Sequence, residues 1–308
     1  MRNAFIQALT ELAVKDIRIM LLTADLGFKL FDDFKARCPG RFLNMGVSEA
    51  NMVSVAAGLA LSGKRPFTYS IAPFSTIRCL EQIRNDVCDM NAPVVVVGVG
   101  GGYAYGVNGA THHGIDDIAA MRAMRGMTVL CPCDPCETIQ AVHALVALGA
   151  PAYLRLGRGG EAVLPGTDAH LVLGRPTILR PGHTLAFLAC GQVAEEALKA
   201  AHLLGERGMN PLVLSVHTVK PLGPLVDYIL DGGVEDVFVV EEHGPCGGLF
   251  EALAAALSVL PQHPRLTSLS APDRFIHAVG SQSFIRQAVG LDAESICRTV
   301  LDTLECRA

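Results

Sequence analysis

The feature that most narrows what this chain can fold into is a series of short apolar runs without alternation, the clearest being APVVVVGVGG from Ala92 to Gly101. A strand with one wet face alternates polar and apolar residues, whereas a run that is apolar at every position needs cover on both faces. Runs of the same kind are IRIMLLTAD (17–25), RPFTYSI (65–71), TVLCPCD (128–134) and AYLRLGRG (152–159). Further on come TLAFLACG (184–191), NPLVLSVHT (210–218), VEDVFVVEEH (234–243) and RLTSLSAP (265–272). Helical patterns lie between them, among them Glu81 to Met90, Pro135 to Ala147 and Val193 to Gly208, and the opening MRNAFIQALTELAVKD reads as an amphipathic helix. Strands alternating with helices predict the α/β class, here as two consecutive domains with parallel or mixed sheets. The segment 159–176, rich in Gly and Pro and without either periodicity, is the expected linker between a domain at 1–165 and another at 176–308. With 308 residues the chain is long enough for two hydrophobic cores.

Half the residues are hydrophobic, only 18% are charged and Trp is absent, so part of the surface is expected to pack against other chains in an oligomer. The formal charge of -5, with no run of Lys and Arg, excludes the electrostatic footprint of a nucleic-acid binder. No apolar run reaches the ~18 residues of a membrane span, and the amino terminus lacks the layout of a signal peptide, so a cytoplasmic protein is expected. The ten cysteines sit mostly in apolar segments and read as reduced, buried thiols. Cys131, Cys133 and Cys136 form a C-x-C-x-x-C that could hold a metal, but no second pair lies at ligand spacing, and a proline-bearing strand-to-helix turn accounts for it equally. No metal is assigned to this chain.

Open parallel sheets bind ligands beyond the carboxyl ends of their strands, which directs attention to the loops after Leu22, Tyr69, Gly98, Leu130 and Leu156. The loop GVGGGYAYGVNGATHHGIDD (98–117) is glycine-rich but does not open directly into a helix, so it does not match a dinucleotide fingerprint. Its polar end, Asn108 to His113, is either a solvated loop or part of a site. Glu49 begins the helical stretch EANMVSVAAGLAL and gains from the helix dipole whatever else it does. Met52, Val53, Val55, Ala56, Ala57, Leu59, Ala60 and Leu61 leave that helix almost no polar face, so it is expected to be buried, and a buried carboxyl suits proton exchange.

RFLNMGVSEANM, from Arg41 to Met52, resembles the RF-x-N-x-G-x-x-E-x-N-M segment of transketolases. In the same order follow or precede ADL (24–26), SIAPFSTIRCLEQIR (70–84), GVNGATHHGIDDIAAMR (106–122) and RLGR (155–158), and VHTVKPL and VVEEHGPCGGLFEAL resemble the family's carboxyl-terminal domain. The resemblance covers nearly the whole chain but only half of a transketolase, because the GDG…N motif that holds metal and diphosphate is missing. It implies the pyrimidine-binding and carboxyl-terminal part of a split transketolase, with thiamine diphosphate as cofactor, Mg2+ or another divalent cation held by an amino-terminal partner subunit, and an α2β2 heterotetramer.

The resemblance also assigns roles. Glu49 is implied to hydrogen-bond the aminopyrimidine of the cofactor and so promote loss of the thiazolium proton. Phe74 is implied to stack on that ring, although an ordinary core position is its plain alternative; a second stacking position falls on Ile71. Asp25 matches an acid near the cofactor or else is a turn former. His112 is implied to hydrogen-bond and move protons at the reacting carbons, while Arg158 and Arg2 bind the anionic end of the sugar. Departures from the family pattern are Asn108 in place of an acid that reads a hydroxyl, a position near Gly100 in place of a phosphate-binding histidine, and Phe28 or Lys29 in place of a serine. Two guanidiniums with Lys29 still suit an anion, and the departures imply an uncommon sugar or another anionic tail. The expected activity is transfer of a two-carbon glycolaldehyde unit from a ketose to an aldose. Alternatives are the beta subunit of a 2-oxo acid dehydrogenase, a non-catalytic supporting subunit, and a 1-deoxyxylulose 5-phosphate synthase, the last expected as one longer chain.

Overall fold

A computed structural model describes residues 1–307. Twelve strands form two sheets: β1 Ile19–Thr23, β2 Phe42–Asn44, β3 Arg65–Ile71, β4 Val95–Val99, β5 Thr128–Leu130, β6 Ala152–Leu156, β7 Thr177–Arg180, β8 Ala186–Cys190, β9 Leu212–Ser215, β10 Thr218–Lys220, β11 Asp236–Glu241 and β12 Arg265–Ser270. The larger sheet has the order β10-β5-β6-β4-β3-β1-β2 and the smaller β12-β11-β8-β9-β7. Every pairing is parallel except β10 with β5 and β7 with β9. The chain is thus α/β with two sheets, as its unalternating runs require.

The period of two within those runs divides their side chains between two helical layers. Val94, Val96, Met20 and Leu22 face a core shared with Met52, Val53 and Ala56. Ile19, Leu21, Val95, Val97 and Leu154 face the helices Arg2–Lys15 and Pro135–Leu148. No helix among the described residues is long and apolar enough to cross a membrane.

Three details differ from the expectations, and a fourth adds to them. NPLVLSVHT is not one strand: it leaves the smaller sheet after Ser215, and Thr218–Lys220 pairs antiparallel with β5 at the edge of the larger one. Lys220 anchors the crossing by donating to the carbonyls of Arg122 at 2.9 Å and Met124 at 2.5 Å. The expected helix from Glu81 to Met90 is a short α-turn, Leu80–Gln82, followed by a π-helical stretch, Ile83–Asp89; the wider turn keeps Ile83 and Val87 buried while Asp86 accepts from Ser54 at 2.6 Å. The helix Glu49–Leu61 is not covered all round. Asn51 and Gly58 are exposed, Val55 and Leu59 are half-buried and Leu61 is 57% exposed, because its own sheet shields only the face bearing Met52, Val53 and Ala56. Segment 159–176 contains no strand or helix, yet it is fastened down: Asp134, the N-cap of Pro135–Leu148, accepts from Glu137 N at 2.8 Å, Leu164 N at 2.8 Å and Thr167 Oγ1 at 2.6 Å.

Asp134→Ala removes the cap and leaves two buried donors without their acceptor, so it is expected to cost about 2–4 kcal/mol. Urea unfolding at fixed protein concentration measures this; a loss below about 0.5 kcal/mol, within the range of ordinary surface changes, contradicts it.

Candidate active site

The residues singled out above lie where parallel strands end. Glu49 opens its helix just after Ser48, with its carboxyl only 3% exposed. Ser70 at the end of β3 donates to its Oε1 at 3.3 Å, and Arg78 Nη1 lies 2.9 Å from Oε2. A buried carboxylate is stable only with such partners, and here one partner is buried and the other 46% exposed.

Phe74 follows β3 in the helical turn Ala72–Ser75 and is half-buried. The Arg78 guanidinium lies 4.1 Å over its ring, so the same flat group bonds to Glu49 and stacks on Phe74. Arg78 thus spans the space between the carboxylate and the aromatic face. Ile71, the last residue of β3, is buried in the core on which Phe74 packs and presents little free surface.

His112 ends the 3-10 turn Ala110–His112 with its ring 5.1 Å edge-on to Phe74 and its Nδ1 3.0 Å from Thr111 Oγ1. Burial, followed by the positive charge of Arg78, pushes its pKa below the ordinary histidine value, so the neutral imidazole is the prevailing form at pH 7. The loop carrying it is held rigidly. Gly102 and Gly114 exchange backbone hydrogen bonds at 2.7 and 2.9 Å. Arg155, buried on β6, donates to Gly114 O at 2.5 Å and pairs with Asp117 at 2.8 Å, while Tyr153 donates to the same carboxylate at 2.5 Å.

Arg158 is exposed beyond β6 with its guanidinium 5.3 Å over the ring of Tyr105, whose edge lies toward His112 at 6.4 Å. Arg2 is half-buried beside Gly159 and acts electrostatically on the buried phenol of Tyr69, as does Tyr105. Glu49, Phe74 and His112 therefore form one cluster, Arg158 adjoins it through Tyr105, and Arg2 lies beside Gly159. The remaining three stand apart. Asp25, exposed with φ 54, exchanges hydrogen bonds with Asn44 at 2.9 and 3.0 Å and so fixes the RFLN segment. Lys29 is exposed over Phe28, and Asn108 is exposed at the end of the turn Gly106–Asn108. Among the described residues no hydrogen bond or ion pair joins Lys29 or the Asn108 side chain to the cluster.

A cleft of about 700 Å³ borders the cluster, lined by Phe74, Arg78 and His113 from the larger sheet's loops and by Cys246 and Arg274 from the smaller sheet's. Among the described residues no group of three or more His, Cys, Asp or Glu is placed to hold a metal ion. Sequence reasoning did not single out Ser70, Arg78 or Tyr105. The signal for Arg78 was its place one helical turn after Phe74 inside a segment already recognised; nothing in the spacing of the glycine loop reveals Tyr105.

A parallel α/β sheet here gathers a buried carboxyl, an aromatic face and an imidazole at its carboxyl edge, where α/β sheets bind their ligands. Residues 1–160 match the family model for the transketolase pyrimidine binding domain, and residues 174–296 match that for the transketolase C-terminal domain. The chain belongs to the transketolase family. It is 36% identical to one of the subunits of an apulose-4-phosphate transketolase of Phocaeicola vulgatus, over 98% of this chain and 96% of that one. With a 6-deoxy-6-sulfo-D-fructose transketolase subunit of Clostridium sp. (strain MSTE9) it shares 35% identity over 99% and 94%. It also matches 1-deoxy-D-xylulose-5-phosphate synthase of Thermomicrobium roseum at 36% identity, over 97% of this chain but 48% of that protein. Among solved structures, a split gene transketolase, described as an inactive beta4 tetramer, superimposes with a TM-score of 0.89 at 31% identity, covering 99% of this chain and 98% of that one.

Because Arg78 helps hold the His112 pKa down, Arg78→Gln is expected to raise it toward the ordinary value. A titration of the His112 ring by NMR reads this directly; an unchanged or lower value contradicts the electrostatic coupling.

Proposed function

We propose that this chain is the pyrimidine-binding, carboxyl-terminal subunit of a two-subunit, thiamine-diphosphate-dependent transketolase that moves a two-carbon unit from an anionic ketose to an aldose. The observation that carries the reading is the desolvated Glu49 facing a group stacked on Phe74. The subunit names of the relatives support a split enzyme, and their sugar phosphate and sugar sulfonate support an anionic, atypical donor.

When bound, thiamine diphosphate supplies a carbanion at its thiazolium ring, which the protein does not itself possess. Glu49 would hold the pyrimidine by a shared proton, in a crevice from which Met52, Val53 and Ala56 exclude water behind it. Phe74 would give the ring an apolar face. For Glu49 to do this, Arg78 gives up its contact with the carboxylate; being half exposed, it has room to turn outward. His112, neutral at pH 7, accepts a proton from a substrate hydroxyl and returns it. Arg158 and Arg2 fix the charged end of the sugar by charge-assisted hydrogen bonds. Asp25 and Ile71 shape the pyrimidine side, the first by holding Asn44 and the second from below Phe74. Lys29 and Asn108, exposed and apart from the cluster, are assigned to substrate only by the resemblance.

On this reading Mg2+ and the diphosphate are held by an amino-terminal partner subunit, as the resemblance to transketolases implies. An α2β2 heterotetramer in the cytoplasm with two sites is the simplest assembly that completes the cofactor pocket. The inactive beta4 state of the split relative agrees with a subunit that does not turn over alone. The chain divides into a pyrimidine-binding domain at 1–165 and a carboxyl-terminal domain at 176–308, with 159–176 between them.

Glu49→Gln in the assembled enzyme is expected to lower kcat by about 10²-fold or more, the scale of a lost proton-transfer partner, with assembly unchanged by size-exclusion chromatography. Wild-type turnover in that variant would instead assign the chain a supporting role.

A further inference from the structure

The loop leaving β4 turns back on itself so that Tyr105 lies on Gly100. A Cβ built on Gly100 would overlap the ring's Cδ2 and Cε2, and the glycine has φ +81. A side chain at position 100 and the tyrosine ring are mutually exclusive. Two residues assigned to the substrate side of the site stand against the ring. Arg158 lies over one face at 5.3 Å, and His112 stands at 6.4 Å. Tyr105 also packs on the core cluster that contains Tyr69, whose phenol is pushed up chiefly by burial, then by Tyr105, with Arg2 opposing. Tyr105 itself is half-buried, so part of its ring faces the open side.

An exposed arginine has many rotamers, and ordering one around an anion costs entropy unless something restrains it beforehand. An aromatic face does so, because a guanidinium stacks flat on it and keeps its N–H groups free at the edge. We propose that Tyr105 is a specificity-determining residue: its ring fixes the separation between His112 and Arg158 and thereby selects ketoses that carry an anionic group at a matching distance from the reacting carbons. An uncharged ketose gains nothing from this arrangement. The substrate part of the inference rests on the transketolase reading; the anion-binding part does not.

The test uses the assembled two-subunit enzyme with Tyr105→Ala, Tyr105→Phe and Gly100→Ala. Donors of one carbon skeleton, fructose 6-phosphate and fructose, are compared by KM and kcat, and inorganic phosphate is titrated calorimetrically. Tyr105→Ala is expected to raise KM for the phosphorylated donor and Kd for phosphate by about fivefold, the scale of an exposed cation–π contact, with KM for fructose unchanged. Tyr105→Phe keeps the ring and is expected to match wild type. Gly100→Ala pushes the ring aside and is expected to reproduce Tyr105→Ala even if that variant fails to fold. Equal losses for both donors, or an unchanged phosphate Kd, overturn the proposal. If the wild-type complex transfers no two-carbon unit from any ketose, the transketolase reading fails, and the phosphate titration alone decides the role of Tyr105.

Discussion

The structure turns on a carboxyl group that has lost its water. Glu49 stands at a helix start among apolar residues, 3% exposed, and a desolvated charge without partners is far costlier than any packing gain nearby. Its local needs account for the surrounding residues: a serine on the neighbouring strand and a guanidinium closing the side toward solvent. Of these Arg78 alone reaches solvent. The chain therefore holds this acid in a pair whose other member reaches solvent, and the proposed function has the cofactor's pyrimidine take the place of that member.

Rigidity is supplied from farther away. The loop bearing His112 is fixed by buried Arg155, which also donates to the carbonyl of Glu242 at 2.9 Å and so reaches the smaller sheet's loops. Glu242 in turn pairs with buried Arg286 at 2.7 Å. Removing one member of a buried pair leaves the other charged and unpaired, so these contacts resist independent movement of the two sheets. With β10 crossing to the larger sheet, they make the walls of the cleft one body.

Much of this was legible in the sequence, for identifiable reasons. Valine runs without alternation dictate a doubly covered parallel sheet, and motifs that follow one another in order bring Glu49, Phe74 and His112 to one edge of it. What sequence could not convey depends on tertiary choice. Thr218–Lys220 is too short to carry a periodic signal, and its transfer to the other sheet is decided by β5 and by the carbonyls that Lys220 finds. The uncovered stripe of the Glu49 helix is a property of its neighbours, since its own residues read as apolar all round. Asp25 looks identical in sequence whether it serves a ligand or a turn; here its φ of 54 and its bonds to Asn44 are those of a turn. Tyr105 escaped because a glycine-rich loop gives no hint of which residue folds back on which.

The most direct test of the account is a crystal structure of the assembled two-subunit complex with thiamine diphosphate. The account requires a Glu49 oxygen within about 2.6–3.2 Å of the pyrimidine ring nitrogen, the ring on Phe74, and Arg78 turned away from the carboxylate. A Glu49 still paired with Arg78 while the cofactor lies elsewhere, or a carboxylate open to solvent, would contradict it.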